Sequence, residues 1–200
     1  MEMRAVLADP LAADGPSLSP RSLLNLGPSD RVVLPSPNGS TCAVLEGQTG
    51  AVVYAACLRN ATAVGKWVTK HHESATVIAC GERWPDGSLR PSLEDHLGAA
   101  AVLSTLRGTR SPEAEGAIHL WEGFRSNVQE TIANCVSGRE AIARGWSKDL
   151  EFACQVDTSQ AVPSLTDGGF VNVAGGTWLS PITPFPCSSR SATTYIESTS

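Results

Sequence analysis

Short runs of strand-forming residues alternate with helix-spaced segments, and this alternation constrains the fold more than any other feature of the chain. Ala51–Leu58 is an apolar, β-branched run of strand length, and Ala61–His72 then places Ala63, Trp67 and Val68 at helical spacing. The pattern returns with a strand at Ala75–Cys80, expected to be buried, and a helix at Leu93–Leu106, with a polar loop on Trp84-Pro85-Asp86-Gly87 between them. Such a chain builds βαβ units, whose crossover helices cover a sheet on its faces. The expected fold class is α/β, a three-layer α/β/α arrangement around a mostly parallel or mixed sheet.

The surrounding sequence extends the same scheme. Arg31–Leu34 reads as a short strand, Asn38–Thr41 as a turn and Cys42–Gln48 as a helix. Pro112 opens a long helical stretch with Ile118, Trp121, Phe124, Val128 and Ile132 on one face. A short helix is expected over Ser137–Ala143, stopped by Gly145, while Leu150–Cys154 fits strand or helix equally. Gly168-Gly169 then reads as a turn before a terminal strand reaching Val173. Three regions are expected: an irregular lead-in over 1–16, an α/β domain over 17–173 with one short helix near 19–26, and a Ser/Thr/Pro-rich tail over 174–200. Ser and Thr crowd that tail without an apolar period, so it is expected to be disordered.

Composition narrows the function classes. The 200 residues carry 15 Lys+Arg against 20 Asp+Glu, a net charge of -5, which provides no basic field for a polyanion. Nucleic acid is therefore not an expected partner. No apolar run approaches the ~18 to 20 residues that cross a bilayer, and the first ten residues lack the apolar segment of a secretory signal. A soluble, cytoplasmic protein is expected. The six cysteines form no CxxC and no Cys/His pair at zinc-ligand spacing, and they read as free thiols.

In a parallel sheet the loops leaving the carboxyl ends of the strands open on one edge, where ligands bind. Those loops hold Asn38-Gly39-Ser40-Thr41, Arg59-Asn60 and Gly81-Glu82-Arg83, a set of hydroxyls, carboxamides, guanidiniums and a carboxylate suited to an oxyanion. The Asn38–Thr41 turn precedes a helix, so its N–H groups can receive a phosphate with Gly39 allowing close approach; a turn followed by an ordinary N-cap fits the same residues. Arg59 fits a bidentate contact with a phosphoryl group or a solvated strand end. Ser92-Leu93-Glu94-Asp95 fits a capping box, or adjacent carboxylates that hold Mg²⁺. His71 and His72 read as exposed helix-end residues. No GxSxG, HExxH, P-loop or GxGxxG occurs.

Taken in order, these segments resemble the 2-phosphosulfolactate phosphatase family over roughly residues 17–173. Leu34-Pro-Ser-Pro-Asn38-Gly-Ser-Thr41 is similar to the family's Asn-Gly loop, and Ala56-Cys-Leu-Arg59-Asn60-Ala61 to the strand end that follows. Val77-Ile-Ala-Cys-Gly81-Glu82 and Pro91-Ser-Leu-Glu94-Asp95-His-Leu-Gly98-Ala99 resemble its Gly-ended strand and Glu-Asp helix start. Ser137-Gly138-Arg139 through Gly145, Asp149, Asp157 and Val162-Pro163 are similar to its C-terminal signature.

The resemblance implies Mg²⁺-dependent hydrolysis of a phosphate monoester on a small anionic acid, 2-phosphosulfolactate to sulfolactate and phosphate, a step of the coenzyme M biosynthesis type. It implies that Asn38, Gly39 and Ser40 cradle the phosphoryl group, with Asn60 beside them, and that Arg59 and Arg139 face substrate anions. Glu82, Glu94, Asp95 and Asp157 take metal or base roles, with Glu94 and Asp95 as the metal pair. The family usually begins with a further strand and helix that have no counterpart here, which leaves a second expectation. The chain is then a catalytically incomplete anion-binding module, or a homo-oligomer joined through a free sheet edge.

Overall fold

The computed structural model describes residues 5–8, 15–27, 30–34, 36 and 38–175, and the backbone of 191–196. Strand β1 (Ala5–Leu7) lies parallel to β2 (Arg31–Val33) in a two-stranded sheet of its own, so the lead-in contains structure that its Pro- and Asp-rich sequence concealed. A single 3-10 turn, Pro20–Leu23, stands where a short helix was expected.

Helix α1 (Gly39–Gly47) is followed by β3 (Val52–Ala56), a 3-10 turn over Leu58–Asn60, α2 (Ala61–His71) and β4 (Ser74–Ala79). A hairpin of β5 (Glu82–Arg83) and β6 (Leu89–Arg90) frames the Trp84–Gly87 turn and leads into α3 (Leu93–Thr105). Next come α4 (Pro112–Phe124), α5 (Val128–Asn134), α6 (Val136–Ala143) and α7 (Ser147–Ala153). The stretch after Pro112 is thus broken at Arg125–Asn127 by a 3-10 turn, although Ile118, Trp121, Val128 and Ile132 are all buried as their spacing requires. Leu150–Cys154 resolves as the end of α7 with its C-cap.

Strands β7 (Pro163–Thr166) and β8 (Gly169–Asn172) form a hairpin, and β9 (Ser191–Ile196) completes the main sheet. The order is β4-β9-β3-β7-β8, a mixed sheet in which β9 runs parallel to both β3 and β4, and β7 and β8 are antiparallel. Disorder from residue 174 onward therefore does not hold for 191–196. Ser-Ala-Thr-Thr-Tyr-Ile is rich in β-branched and aromatic residues, but only the parallel slot between β3 and β4 gives it partners.

The three layers follow from alternation along β3. Val53 faces Ala43 of α1 and Cys80, with Ile78 and Leu165 packed against them. Tyr54 and Ala56 face the opposite way, into the larger core built by Val64 and Val68 of α2 and Leu97 to Val102 of α3. Helices α2 and α3 cover that face, α4 packs on α3, and α5, α6 and α7 gather at one side against the Pro20–Leu23 turn. Near this core, Trp67 Nε1 donates to Tyr54 Oη at 3.2 Å, and Tyr54 Oη lies 2.8 Å from His72 Nε2. Strand β4, expected to be buried, is an edge strand whose first three residues are exposed.

Candidate functional site

Strand ends create the site. The backbone leaving β3 passes through Cys57, Leu58 and Arg59, which line a cavity of about 250 Å³ together with residues of α3, α6 and α7. The chain leaving β4 turns at Gly81, whose φ of +69° suits a residue without a Cβ. Its N–H donates to Asp95 Oδ2 at 2.7 Å, a buried bond that ties this turn to the first turn of α3.

That bond separates the two acids expected to act together. Asp95 turns to the Gly81 backbone, whereas Glu94, 4% exposed, lines the cavity. Glu94 Oε1 is buried without a hydrogen-bond partner. Its other oxygen, Oε2, accepts from the Cys135 thiol at 3.5 Å. Cys135 Sγ in turn accepts the Gly138 N–H at 3.4 Å as the N-cap of α6. Burial first, and the neighbouring Glu94 carboxylate after it, push the Cys135 thiol upward, so it stays a neutral donor. Cys154, also lining the cavity, is pushed up to about 11 by burial and by Cys135.

The capping box at Ser92 does not form: Ser92 makes no side-chain cap bond, and its buried Oγ has no partner. The two acids of α3 are thus not drawn back to cap their own helix, and Glu94 is left with an uncommitted oxygen beside the first turn of α6. Ser137 and Gly138 of that turn line the same cavity. Gly138 is fixed by close approach, since a Cβ there would meet the Ile132 carbonyl oxygen at 1.8 Å.

The other expected residues divide between the site and its scaffold. Arg59 lines the cavity, but its Nη1 donates to Phe152 O at 2.7 Å and to Gln155 Oε1, and its guanidinium stacks 3.7 Å over the Phe152 ring. Asn60 is a buried clasp: its Oδ1 accepts the Cys57 N–H, and its Nδ2 donates to Ala55 O and Ala161 O. Asn38 Nδ2 donates to Glu82 Oε2 at 3.0 Å, joining the start of α1 to the β4 loop. Gly39 opens α1, and the Ser40 hydroxyl donates back to Ser36 O. None of Asn38, Gly39, Ser40 and Glu82 lines the cavity. Arg139 is exposed and donates to Asn134 O. Asp157 lies at the start of α2, accepting the Thr62 N–H at 2.8 Å and the Thr62 hydroxyl at 2.7 Å.

Residues that spacing did not single out complete the arrangement. Cys135 orients Glu94, and Phe152 holds Arg59. Arg90 of β6 forms a two-pronged pair with Glu140 at 3.1 and 3.2 Å, pinning the hairpin to α6. Each pair spans dozens of residues of sequence, so no local pattern marks it.

Among the described residues no three His, Cys, Asp or Glu side chains come together as a ready metal cage. Mg²⁺ does not need one, since it is commonly held by one or two carboxylates with water and substrate phosphate oxygens. Glu94, with a buried oxygen to spare, fits that mode.

The fold and site define an α/β protein in which a buried carboxylate and a helix N-terminus share one cavity at the carboxyl edge of the sheet. The chain belongs to the 2-phosphosulpholactate phosphatase family, whose sequence model matches residues 17–168. A probable 2-phosphosulfolactate phosphatase of Gloeobacter violaceus is 28% identical over 118 residues, covering 59% of this chain and 48% of that protein. One of Caldanaerobacter subterraneus is 23% identical over 141 residues, covering 68% of this chain and 56% of that protein. The chain spans about half the length of the curated relatives it matches.

Proposed function

We propose that this chain hydrolyses the phosphate monoester of a small 2-hydroxy acid, with 2-phosphosulfolactate, the substrate in its family's name, as the first candidate. The observation that carries the reading is Glu94: a carboxylate 4% exposed with an unpartnered oxygen, in a cavity also lined by Ser137 and Gly138 of the α6 first turn. A buried lone carboxylate is costly unless it is paired or coordinates a cation. Glu94 would hold Mg²⁺, which when bound supplies charge neutralisation at the phosphoryl oxygens. The positive end of α6 favours the phosphoryl group at the same place. Asp95 keeps α3 and the β4 turn in register, and Arg59 braces the strand end against α7.

No helix among the described residues is long and apolar enough to cross a membrane. The free thiols of Cys42, Cys57, Cys80, Cys135 and Cys154 support a reducing compartment, the cytoplasm. Cys187 lies outside the described residues. A reaction of the coenzyme M biosynthesis type is the biological setting this reading carries.

The test is inorganic phosphate release from 2-phosphosulfolactate by the purified chain, with Mg²⁺ or with a chelator. Release that depends on the metal supports the reading, and absence of release from folded protein overturns it. A second reading is favoured by strand β4, an edge whose residues Ser74–Ala79 carry no charge and no proline and are exposed over Ser74–Thr76. On that reading the chain is an oligomerisation module, and its sedimentation coefficient rises with concentration.

A further inference from the structure

Two bridges cross from the start of α3 to α6. Glu94 reaches the N-cap of α6 through the Cys135 thiol, and Arg90, just ahead of α3, grips Glu140 through Nη1 and Nη2 at 3.1 and 3.2 Å. Both start from one packed point. A Cβ on Gly81 would lie 3.2 Å from the Arg90 carbonyl oxygen, and the Gly81 N–H donates to Asp95, the neighbour of Glu94. Across the β5–β6 ladder Arg90 pairs with Glu82, so their side chains share a face, and Glu82 in turn accepts from Asn38. Hydrogen bonding to Glu140 first, and the fields of Glu140, Glu82 and Glu94 after it, push the guanidinium pKa upward. Arg90 is thus a permanent cation beside the Glu94 end of the cavity, with 16% of its side chain exposed.

Its place matches a substrate with more than one anion. Ser137 and Gly138 line the cavity at the first turn of α6, and Glu140 follows Ser137 by three residues, about 4.5 Å along the helix axis. In 2-phosphosulfolactate the sulfonate is the anion furthest from the phosphoryl group, carried on the carbon next to the one that bears the ester. Glu140 holds the end of the guanidinium fork through the two Nη atoms, and the edge formed by Nε and one Nη presents another pair of parallel N–H donors. Planar donors of this kind suit two oxygens of a sulfonate as they suit a carboxylate. We propose that Arg90 is the specificity residue for the sulfonate: with the phosphoryl group at Glu94 and the first turn of α6, the sulfonate lies along the Nε edge of Arg90. The place of the phosphoryl group rests on the phosphatase reading, and that of the sulfonate rests on the geometry of Arg90.

Lactate is sulfolactate without its sulfonate, so the two acids read Arg90 directly. Calorimetric titration of the full chain at one salt concentration should show sulfolactate binding about ten-fold tighter or more, the scale of a hydrogen bond to a charged group. Arg90→Met should reduce that ratio to about two-fold or less and leave lactate unchanged, and Arg90→Lys, which keeps the charge and loses the fork, should fall between. Glu140→Gln removes a competing negative charge and should tighten sulfolactate. A pair that only pinned the hairpin would instead weaken both acids in every variant. Should Arg90→Met not fold, the sign of the Glu140→Gln change decides. No preference in the parent, a preference that survives Arg90→Met, or weaker sulfolactate binding in Glu140→Gln overturns the proposal. Phosphate release from 2-phosphosulfolactate and 2-phospholactate separates the two readings. Release with a KM for 2-phosphosulfolactate that Arg90→Met does not raise overturns the role of Arg90 and supports the phosphatase reading. Release from neither, with the binding preference intact, removes the phosphatase reading and leaves the sulfonate on Arg90.

Discussion

The thiol of Cys135 donates to Glu94 Oε2 across 3.5 Å, joining the first turn of α3 to the N-cap of α6. One oxygen of Glu94 is thereby occupied and the other left over. Replacing Glu94 by Gln keeps the shape and removes the charge. Glu94→Gln should lower metal-dependent phosphate release by about 10²-fold or more, the scale seen when one preorganised electrostatic group is removed. Asp95→Asn should instead show up in urea unfolding, because Asp95 holds the Gly81 N–H. A loss of about 1–3 kcal/mol is expected there for a hydrogen bond to a charged group. Equal activity loss in both variants would show that the two acids act as a pair after all.

Asp157 sits at φ 54° and caps α2 through both carboxylate oxygens. Asp157→Ala should cost about 1–2 kcal/mol of stability in denaturant unfolding, as loss of an N-cap acceptor does. Turnover should stay within two-fold or so of the parent, since a cap acts on stability rather than on reacting atoms. A large fall in kcat with stability unchanged would return Asp157 to the catalytic role that the family resemblance implies.

Gly138 has no room for a methyl group. A Cβ would lie 1.8 Å from the Ile132 carbonyl oxygen and 2.8 Å from its carbon, and backbone atoms cannot move aside cheaply. Gly138→Ala should destabilise by about 3 kcal/mol, at the upper end for overpacking. Because Ile132 and Gly138 both line the cavity, ligand affinity there should fall with it. A melting curve equal to the parent's would contradict the close approach.

His72 is held below the ordinary imidazole value of 6.5, by burial first and by the neighbouring His71 second. The folded state therefore prefers neutral His72, and the unfolded chain binds the proton more readily. Stability from this group is present above pH 6.5 or so and is lost as the pH falls through that value toward the lower folded pKa. Denaturant midpoints measured from pH 7.5 to about 5 should decline, with a smaller decline in His72→Gln. The same slope in both proteins would assign the effect to another group.

Periodicity made the elements around the site readable. Helices α2 and α3, the strand ends at Arg59 and Gly81, and the mixed α/β class all follow from local alternation and turn chemistry. The Asn38 turn precedes a helix as its residues indicate, although α1 begins at Gly39, three residues earlier than the apolar spacing places it. The hairpin of β7 and β8 was half legible: Gly168 marked its turn, but Pro163–Thr166 has no alternation that separates it from a loop. Strand β9 was hidden for a related reason, since Ser and Thr dominate its surroundings and its partners lie far away in the chain.

Ser92-Leu93-Glu94-Asp95 shows where local reasoning stops. The four residues fit a capping box and a metal pair equally well, because both need the same side chains at the same spacing. Tertiary packing formed no capping box: it gave Asp95 to Gly81, gave one oxygen of Glu94 to Cys135, and left Ser92 Oγ without a partner. The sequence by itself determined the α/β class, the helices and the loops that meet at the sheet edge, since these depend on residues a few positions apart. Which acid faces the cavity, and what Arg59 holds, depend on partners 41 and 93 residues away, and only the folded chain brings those together.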